Sequence, residues 1–126
     1  MNRKAFIECL KLYPNMSEEI RWREDNLRYF KEQKQEFINN GLEDTCGDII
    51  AALDTAIELT KSELSDLYKA KIKADYSLLH LNPRQKQILR LRLWEEKSWR
   101  QIAKVYGRHR SSVEREFKRI IDKMLH

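Results

Sequence analysis

Apolar residues recur at helical spacing along most of the chain, with polar stretches interrupting them at a few points. In residues 3–13 they lie three or four positions apart, at Phe6, Ile7, Leu10 and Tyr13. Pro14 should end this first helix because its ring crowds the residue before it. Asn15 can then cap a second helix, with Glu18 three residues later, which should run to the Asn-Asn-Gly sequence at 39–41. The pattern therefore predicts one short and one long helix.

A third helix is expected after a loop at residues 41–47. Thr45 or Asp48 can cap it, and its apolar stripe continues to about Leu79. Two consecutive long helices with apolar seams usually pack as an antiparallel hairpin. This hairpin also carries apolar residues away from its seam, at Ile50, Ile57, Tyr68 and Ile72. A partner chain or the C-terminal helices can cover them, and the sequence leaves both arrangements open.

A further helix is predicted to begin at Pro83, which takes the first helical position because its missing N–H costs nothing there, with Asn82 as the cap. Its apolar face consists of Ile88, Leu89, Leu91, Leu93 and Trp94. The polar residues 95–98 interrupt this face, and Ser98 can cap a short helix at 99–106. Gly107 should end that helix.

The spacing of Ala103, Gly107 and Val113 predicts a helix-turn-helix motif. A small residue lets two helices cross closely, a glycine four positions later permits a left-handed turn, and a β-branched residue anchors the next helix. Ser111 or His109 can cap this last helix. Its buried stripe should consist of Val113, Phe117, Ile120, Ile121 and Met124. We therefore predict an all-α fold, with a long helical hairpin in residues 1–80 and a helix-turn-helix domain in residues 81–126.

The composition supports helices and excludes several classes of protein. Only 3 Gly and 2 Pro occur, and 36% of the residues are charged, which is typical of long helices. No stretch approaches the ~20 apolar residues that span a bilayer, so we expect no membrane contact and a cytoplasmic location. Cys9 and Cys46 should be free thiols, because neither lies in a CxxC pair or at metal-ligand spacing from a histidine. We expect neither a metal nor a cofactor.

Positive charge is concentrated in the C-terminal third. Residues 83–126 carry 13 Lys and Arg against 5 Asp and Glu, whereas residues 1–82 carry 12 against 15. A basic segment joined to a mildly acidic one is typical of a nucleic-acid-binding module attached to a part with another role. Carboxylate pairs such as Glu95-Glu96 do not indicate an enzyme, because adjacent helical residues point apart and no nucleophile or metal partner lies nearby.

The second helix of such a motif enters the major groove of double-stranded DNA with its first turn at the base edges. Arginine can bind guanine through two hydrogen bonds, and a carboxylate can accept one from cytosine. We therefore predict base-reading roles for Arg110, Ser111, Glu114, Arg115 and Lys118. We predict contacts to DNA phosphates for Arg100, Lys104, Arg108, His109, Ser112 and Arg119.

Three stretches, LNPRQKQILRLRLW at 81–94, SWRQIA at 98–103 and SSVER at 111–115, resemble region four of the primary-type sigma factors, which reads the −35 promoter element. With its short N-terminal helical part and the Leu-Tyr-Pro element at 12–14, the whole layout resembles the small phage-encoded RinA and ArpU-type transcriptional regulators. This resemblance implies a sequence-specific activator of late or packaging genes of a phage or prophage, acting in the bacterial host cell. It also implies N-terminal helices that form a homodimer or contact host RNA polymerase.

Two departures from this family affect the interpretation. Arg108 follows the turn glycine where such motifs usually carry an apolar residue, so either the turn packs differently or Arg108 faces the DNA backbone. Nothing in the chain resembles sigma region two, so we do not expect it to melt promoter DNA by itself. Two other functions fit the same pattern: a small terminase-type packaging subunit that recognises DNA as a ring, and a helical adaptor whose basic helix docks on an acidic protein.

Overall fold

The computed structural model describes residues 2–125, so His126, the last residue of the predicted C-terminal domain, lies outside the described residues. The described residues contain no β-strand, and this confirms the all-α prediction. The elements are α1 (Arg3–Lys11), a 3₁₀ turn (Tyr13–Asn15), α2 (Met16–Asn39), α3 (Gly47–Leu79), α4 (Pro83–Leu89), a π-helical segment (Arg90–Trp94), α5 (Trp99–Tyr106) and α6 (Arg110–Leu125). No helix within residues 2–125 is long and apolar enough to cross a membrane.

The helices begin and end close to the predicted positions. Asn82 accepts a hydrogen bond from the Gln85 N–H (2.8 Å), and the Gln85 side chain accepts one from the Asn82 N–H (3.0 Å). This reciprocal pair satisfies backbone donors that the first turn of a helix leaves unpaired. α2 begins directly after Asn15 as predicted, although the Asn15 side chain makes no capping hydrogen bond. α3 ends at Leu79, where its apolar stripe was predicted to stop.

The helix that begins at Pro83 does not continue as an α-helix to Trp94. Its last five residues are π-helical, and the Glu95 N–H donates to the Arg90 carbonyl oxygen at 2.9 Å. A π-turn contains more residues per turn than an α-turn and so shifts the direction of the side chains that follow it. Leu91 and Leu93, two positions apart, pack in two different apolar clusters.

The chain folds into two compact units. The terminal unit consists of the residues up to Pro14 and those from Ile72 onward, and the hairpin unit consists of Asn15–Lys71. The terminal unit therefore joins residues from both ends of the chain. The physical reason is that α1 buries its apolar side chains in the same core as α4 and α6.

The hairpin unit contains α2 and the part of α3 up to Lys71. Arg23 Nε lies 3.4 Å from Glu63 Oε2, and Lys34 Nζ lies 2.5 Å from Asp54 Oδ1. Lys34 comes later in α2 than Arg23, whereas its partner Asp54 comes earlier in α3 than Glu63. The two helices are therefore antiparallel, as predicted. Ile57, which the sequence pattern placed away from the seam, is buried. Large apolar side chains remain exposed on both helices, at Trp22, Tyr29, Ile49, Leu59 and Tyr68.

The terminal unit has one main apolar core, to which α1 contributes. Its buried side chains are Phe6, Leu10, Ala74, Leu81, Ile88, Leu89, Leu93, Phe117, Ile120, Ile121 and Met124. Burying each of the larger ones contributes about 1.5–3 kcal/mol relative to leaving it in water. Without α1, the part of this surface that Phe6 and Leu10 cover would be open to solvent.

Polar contacts also join α1 and the turn after it to the rest of the terminal unit. The Trp94 Nε1–H donates to the Leu10 carbonyl oxygen at 2.9 Å, and the Arg3 guanidinium donates to both carboxylate oxygens of Asp122, at 3.0 and 2.8 Å. The Tyr13 hydroxyl donates to the Asp75 carboxylate, and this hydrogen bond, together with burial, raises the pKa of Tyr13 to about 12. Tyr13 therefore stays protonated over the physiological pH range.

Candidate nucleic-acid interface

The first helix of the predicted motif, α5, begins and ends through local interactions that its sequence supplies. Ser98 Oγ accepts a hydrogen bond from the Gln101 N–H (3.1 Å), and Gln101 Oε1 accepts one from the Ser98 N–H (2.9 Å). The cap at Ser98 is thus confirmed and extended to a complete capping box. At the other end Gly107 is left-handed, with φ 61°, and the Arg108 N–H donates to the Ala103 carbonyl oxygen at 3.0 Å.

The turn leads directly into α6, which starts at Arg110. The Ser111 N–H donates to His109 Nδ1 (3.2 Å), and the Ser112 N–H donates to the His109 carbonyl oxygen (3.0 Å). His109 is therefore the cap of α6, one of the two residues that the sequence suggested. Three residues separate the helices of the motif, so the tight bend predicted at Gly107 is confirmed.

Gly107→Ala is expected to destabilise the terminal unit by about 1–2 kcal/mol, the cost of placing a side-chain-bearing residue in the left-handed region. No heavy atom lies within 4 Å of the position that the added Cβ would take, so the cost is conformational and not steric. Urea denaturation measures it. Gly47→Ala is the control, because Gly47 begins α3 without a positive φ and its Cβ would also meet open space. Equal effects of the two substitutions would contradict the left-handed turn.

The crossing of α5 and α6 depends on small and β-branched residues. Ala103 and Val113 lie with Leu91 and Ile102 in one buried cluster, so the predicted spacing does bring the two helices together. Trp99 packs edge-to-face on Phe117, with ring centroids 5.0 Å apart. The five residues of the predicted stripe on α6 are all buried. The opposite face of α6 is consequently left for solvent or a ligand.

The predicted base-reading residues lie on α6 away from its buried stripe. Arg110, Ser111, Arg115 and Lys118 are exposed, and Glu114 is half-buried. Of the predicted phosphate-binding residues, Ser112 is half-buried and the others are exposed, namely Arg100, Lys104, Arg108, His109 and Arg119. The face is therefore accessible along its length.

Two surface clefts collect most of these side chains. The first cleft runs along α5 and the turn and is lined by Arg100, Ala103, Lys104, Arg108, His109 and Arg110. The second cleft lies between α4 and α6 and is lined by Arg84, Gln85, Arg108, Ser112, Arg115, Glu116, Arg119, Ile120 and Lys123. Arg108 lines both, so the residue that departs from the sigma-factor pattern is an exposed cation between two basic clefts. Ser111, Glu114 and Lys118 line neither.

Three charged residues of the second cleft were not predicted from the sequence: Arg84, Glu116 and Lys123. Lys123 follows Arg119 by four positions, so helical spacing was a signal that could have found it. Arg84 gave no such signal, because its presence in the cleft depends on how α4 lies against α6.

Arg84 and Glu116 form a bidentate ion pair across this cleft. Arg84 Nε and Nη2 donate to the two oxygens of Glu116 at 2.9 and 3.1 Å. The hydrogen bonds from Arg84 lower the pKa of Glu116, against the effect of burial, and Arg108 and Arg119 lower it further. A lowered pKa means that the pair stabilises the fold at neutral pH and that this contribution is lost as the pH falls through the folded-state pKa.

The Arg84 guanidinium also contacts an aromatic ring. It lies over the ring of Tyr106, 4.6 Å from the centroid, and the Tyr106 hydroxyl donates to Gln87 Oε1 at 2.6 Å. Arginine above an aromatic face gains a cation–π attraction in addition to its ion pair. Residues of α4, α5 and α6 thus meet at one guanidinium.

The surface as a whole offers positive charge and hydrogen-bond donors. Within residues 2–125, no group of three or more His, Cys, Asp or Glu is arranged to hold a metal ion.

Residues 72–124 match the family described as Sigma-70, region 4. Comparison with curated proteins and with solved structures gives no match. This segment is therefore a sigma region 4-like helix-turn-helix.

Proposed function

We propose that this chain is a sequence-specific, double-stranded DNA-binding regulator of transcription that inserts α6 into the major groove. The observation that carries the proposal is the position of α6 after a three-residue turn, with its apolar stripe buried and its arginines exposed. The family match of residues 72–124 supports it, because sigma region 4 is a DNA-binding, non-enzymatic domain.

In this mechanism the first turns of α6 read bases. In this proposal Arg110 and Arg115 pair with guanine, Glu114 accepts from the amino group of cytosine, and Ser111 and Lys118 add further contacts. The first cleft holds the phosphates of the adjacent backbone through Arg100, Lys104, Arg108 and His109. Base contacts then set the choice of sequence, whereas phosphate contacts set the overall affinity and its dependence on salt.

The biological setting follows from the resemblance to RinA and ArpU-type regulators. The chain would act in the cytoplasm of a bacterial host as an activator of late or packaging genes of a phage or prophage. A sigma region 4-like module beside a promoter suits an activator that contacts host RNA polymerase. The exposed apolar side chains of the hairpin unit fit a role in protein contact, and we propose homodimer formation through this unit.

Selection of bound duplexes from a random-sequence pool tests the central proposal. We expect an enriched motif, and two copies at a fixed separation if the protein binds as a dimer. Affinity for the selected duplex should fall steeply as salt is raised, because phosphate contacts release counterions. Failure to enrich any sequence, with no binding at low salt, would contradict DNA recognition and favour an adaptor that binds an acidic protein.

Arg115→Ala is expected to weaken binding to the selected duplex by about 1–3 kcal/mol, the scale of one bidentate base contact. Binding to a scrambled duplex should weaken much less, and fluorescence anisotropy on both duplexes measures the difference. Lys86→Ala provides a matched control, since Lys86 is an exposed cation of the same unit that lines neither cleft. Equal losses on both duplexes would show that Arg115 contacts phosphate alone.

A small terminase-type packaging subunit is the second candidate function. The exposed apolar side chains on both helices of the hairpin unit favour self-association, which a ring also requires. Solution mass by light scattering separates the two functions. A monomer or dimer supports the regulator, whereas a ring of about eight to ten copies supports packaging.

A further inference from the structure

The second cleft carries a charge arrangement that DNA recognition by α6 does not by itself require. Five cationic side chains line it, and Glu116 is the one carboxylate among the lining residues. A carboxylate on a surface that approaches DNA repels the phosphates unless a cation neutralises it. Its presence therefore calls for a physical explanation.

Arg84 supplies the neutralising charge, and its pairing with Glu116 leaves it less available to a phosphate. Two of its five N–H donors bind Glu116, and the Tyr106 ring covers the guanidinium. The Arg84 and Glu116 side chains are only partly buried, with 39% and 27% of their surfaces exposed, so both can be reached from the cleft. Arg84 is thus a cation beside α6 whose charge is already paired with the carboxylate of Glu116.

The other cations of the cleft have no hydrogen-bonded carboxylate among the described residues, although Arg108 and Arg119 lie close enough to Glu116 to lower its pKa. Within the part of the chain that the structure describes, Arg108, Arg115 and Arg119 form no ion pair. Lys123 donates to the neutral carbonyl oxygen of His80 at 3.2 Å, and within residues 2–125 it pairs with no carboxylate. Positive charge without a carboxylate partner, gathered along one side of α6, suits an extended polyanion.

We propose that the second cleft binds phosphates of the DNA backbone through Arg119 and Lys123, and that Glu116 limits this binding by competing with phosphate for Arg84. The proposal rests on the DNA-binding function argued above and adds a residue that tunes it. Glu116 lowers affinity for every sequence alike, because backbone contacts carry no sequence information. Contacts from the base-reading residues then make up a larger share of the total binding free energy.

Glu116→Gln tests the competition directly. Glutamine keeps an oxygen that can accept from Arg84 but removes the charge, so Arg84 becomes available to a phosphate. We expect tighter binding to a fluorescein-labelled duplex of mixed sequence, and a plot of log affinity against log salt that steepens by about 0.9. Between roughly 50 and 200 mM salt, the affinity of the variant should fall about threefold more than that of the wild type.

Arg119→Gln and Lys123→Gln should each flatten the same plot by about 0.9, because each removes one phosphate contact. Lys86→Gln is the matched control, since it removes an exposed cation from α4 outside the cleft.

Arg84→Gln should weaken binding, because it leaves the Glu116 carboxylate unpaired. Adding Glu116→Gln to it should restore binding, because that carboxylate is then gone. A purely structural ion pair would show the same restoration in the thermal unfolding midpoint, because removing both partners leaves no unpaired charge. The competition is therefore judged by binding at a temperature where every variant is fully folded. Circular dichroism and thermal unfolding check the fold of each variant.

The outcomes separate this proposal from the function on which it rests. No binding of the wild type to any duplex overturns both. Binding by the wild type, with a folded Glu116→Gln variant that has an unchanged or flatter salt dependence, overturns the competition alone. Should Glu116→Gln fail to fold, the decision rests on Arg119→Gln and Lys123→Gln. Salt dependences equal to that of Lys86→Gln would then refute the phosphate site.

Discussion

Leu10→Ala is expected to lower the free energy of unfolding of the terminal unit by about 2–5 kcal/mol, the usual cost of removing a large buried aliphatic side chain. Leu10 is 2% exposed and belongs to the core that α4 and α6 also form. Alanine would leave a cavity there and would also remove apolar surface from burial. Because small domains have only about 5–15 kcal/mol of net stability, this loss is large.

Urea denaturation of the full-length chain in a Trp22→Phe background measures the effect. Trp94 and Trp99 then report on the terminal unit, and the removed Trp22, in the hairpin unit, is exposed. Leu12→Ala is the control, because Leu12 is 62% exposed and its loss should change stability by no more than about 0.5 kcal/mol. Equal effects of the two substitutions would show that α1 does not pack in this core.

The same substitution should reduce DNA binding although Leu10 lies outside both basic clefts. The reason is that α6 contributes Phe117, Ile120 and Ile121 to the core that Leu10 completes. Binding measured at several temperatures should weaken as the unfolding midpoint of the variant is approached. Full affinity after the terminal unit has unfolded would contradict insertion of a folded α6 into the groove.

Ala103→Phe is expected to have the second large effect, because it forces a bulky ring into the crossing of α5 and α6. Ala103 is 6% exposed and shares its buried cluster with Leu91, Ile102 and Val113. Overpacking typically costs about 1–3 kcal/mol when neighbours can adjust, and more when two helices must separate. We expect the variant to lose sequence-specific binding together with the fixed geometry of the motif, which its amide NMR spectrum would reveal.

Val105→Phe provides the matched control for that substitution. Val105 lies two positions further along the same helix and is 61% exposed, so a larger side chain meets solvent there. Its affinity and stability should stay near those of the wild type. A well-folded Ala103→Phe protein with full affinity would refute the assignment of α5 and α6 as a helix-turn-helix.

Local interactions determined much of what was predictable about the motif. The caps at Asn82 and Ser98 and the left-handed turn at Gly107 involve residues within four or five positions of one another. The buried stripe of α6 follows from helical periodicity, which the sequence displays directly. The exposure of Arg110, Ser111, Arg115 and Lys118 is the consequence, since a helix with one face buried must present the other.

The tertiary structure decided what depends on the packing of distant segments. Arg84 and Glu116 are 32 positions apart and Arg3 and Asp122 are 119 apart, and no local propensity brings such residues together. Helix crossing angles depend on how whole faces interlock, so the sequence did not reveal that α1 completes the core or that α4 supplies a partner for Glu116. The periodicity of the chain thus determined which side of α6 is exposed, whereas interhelical packing determined the charges that surround it.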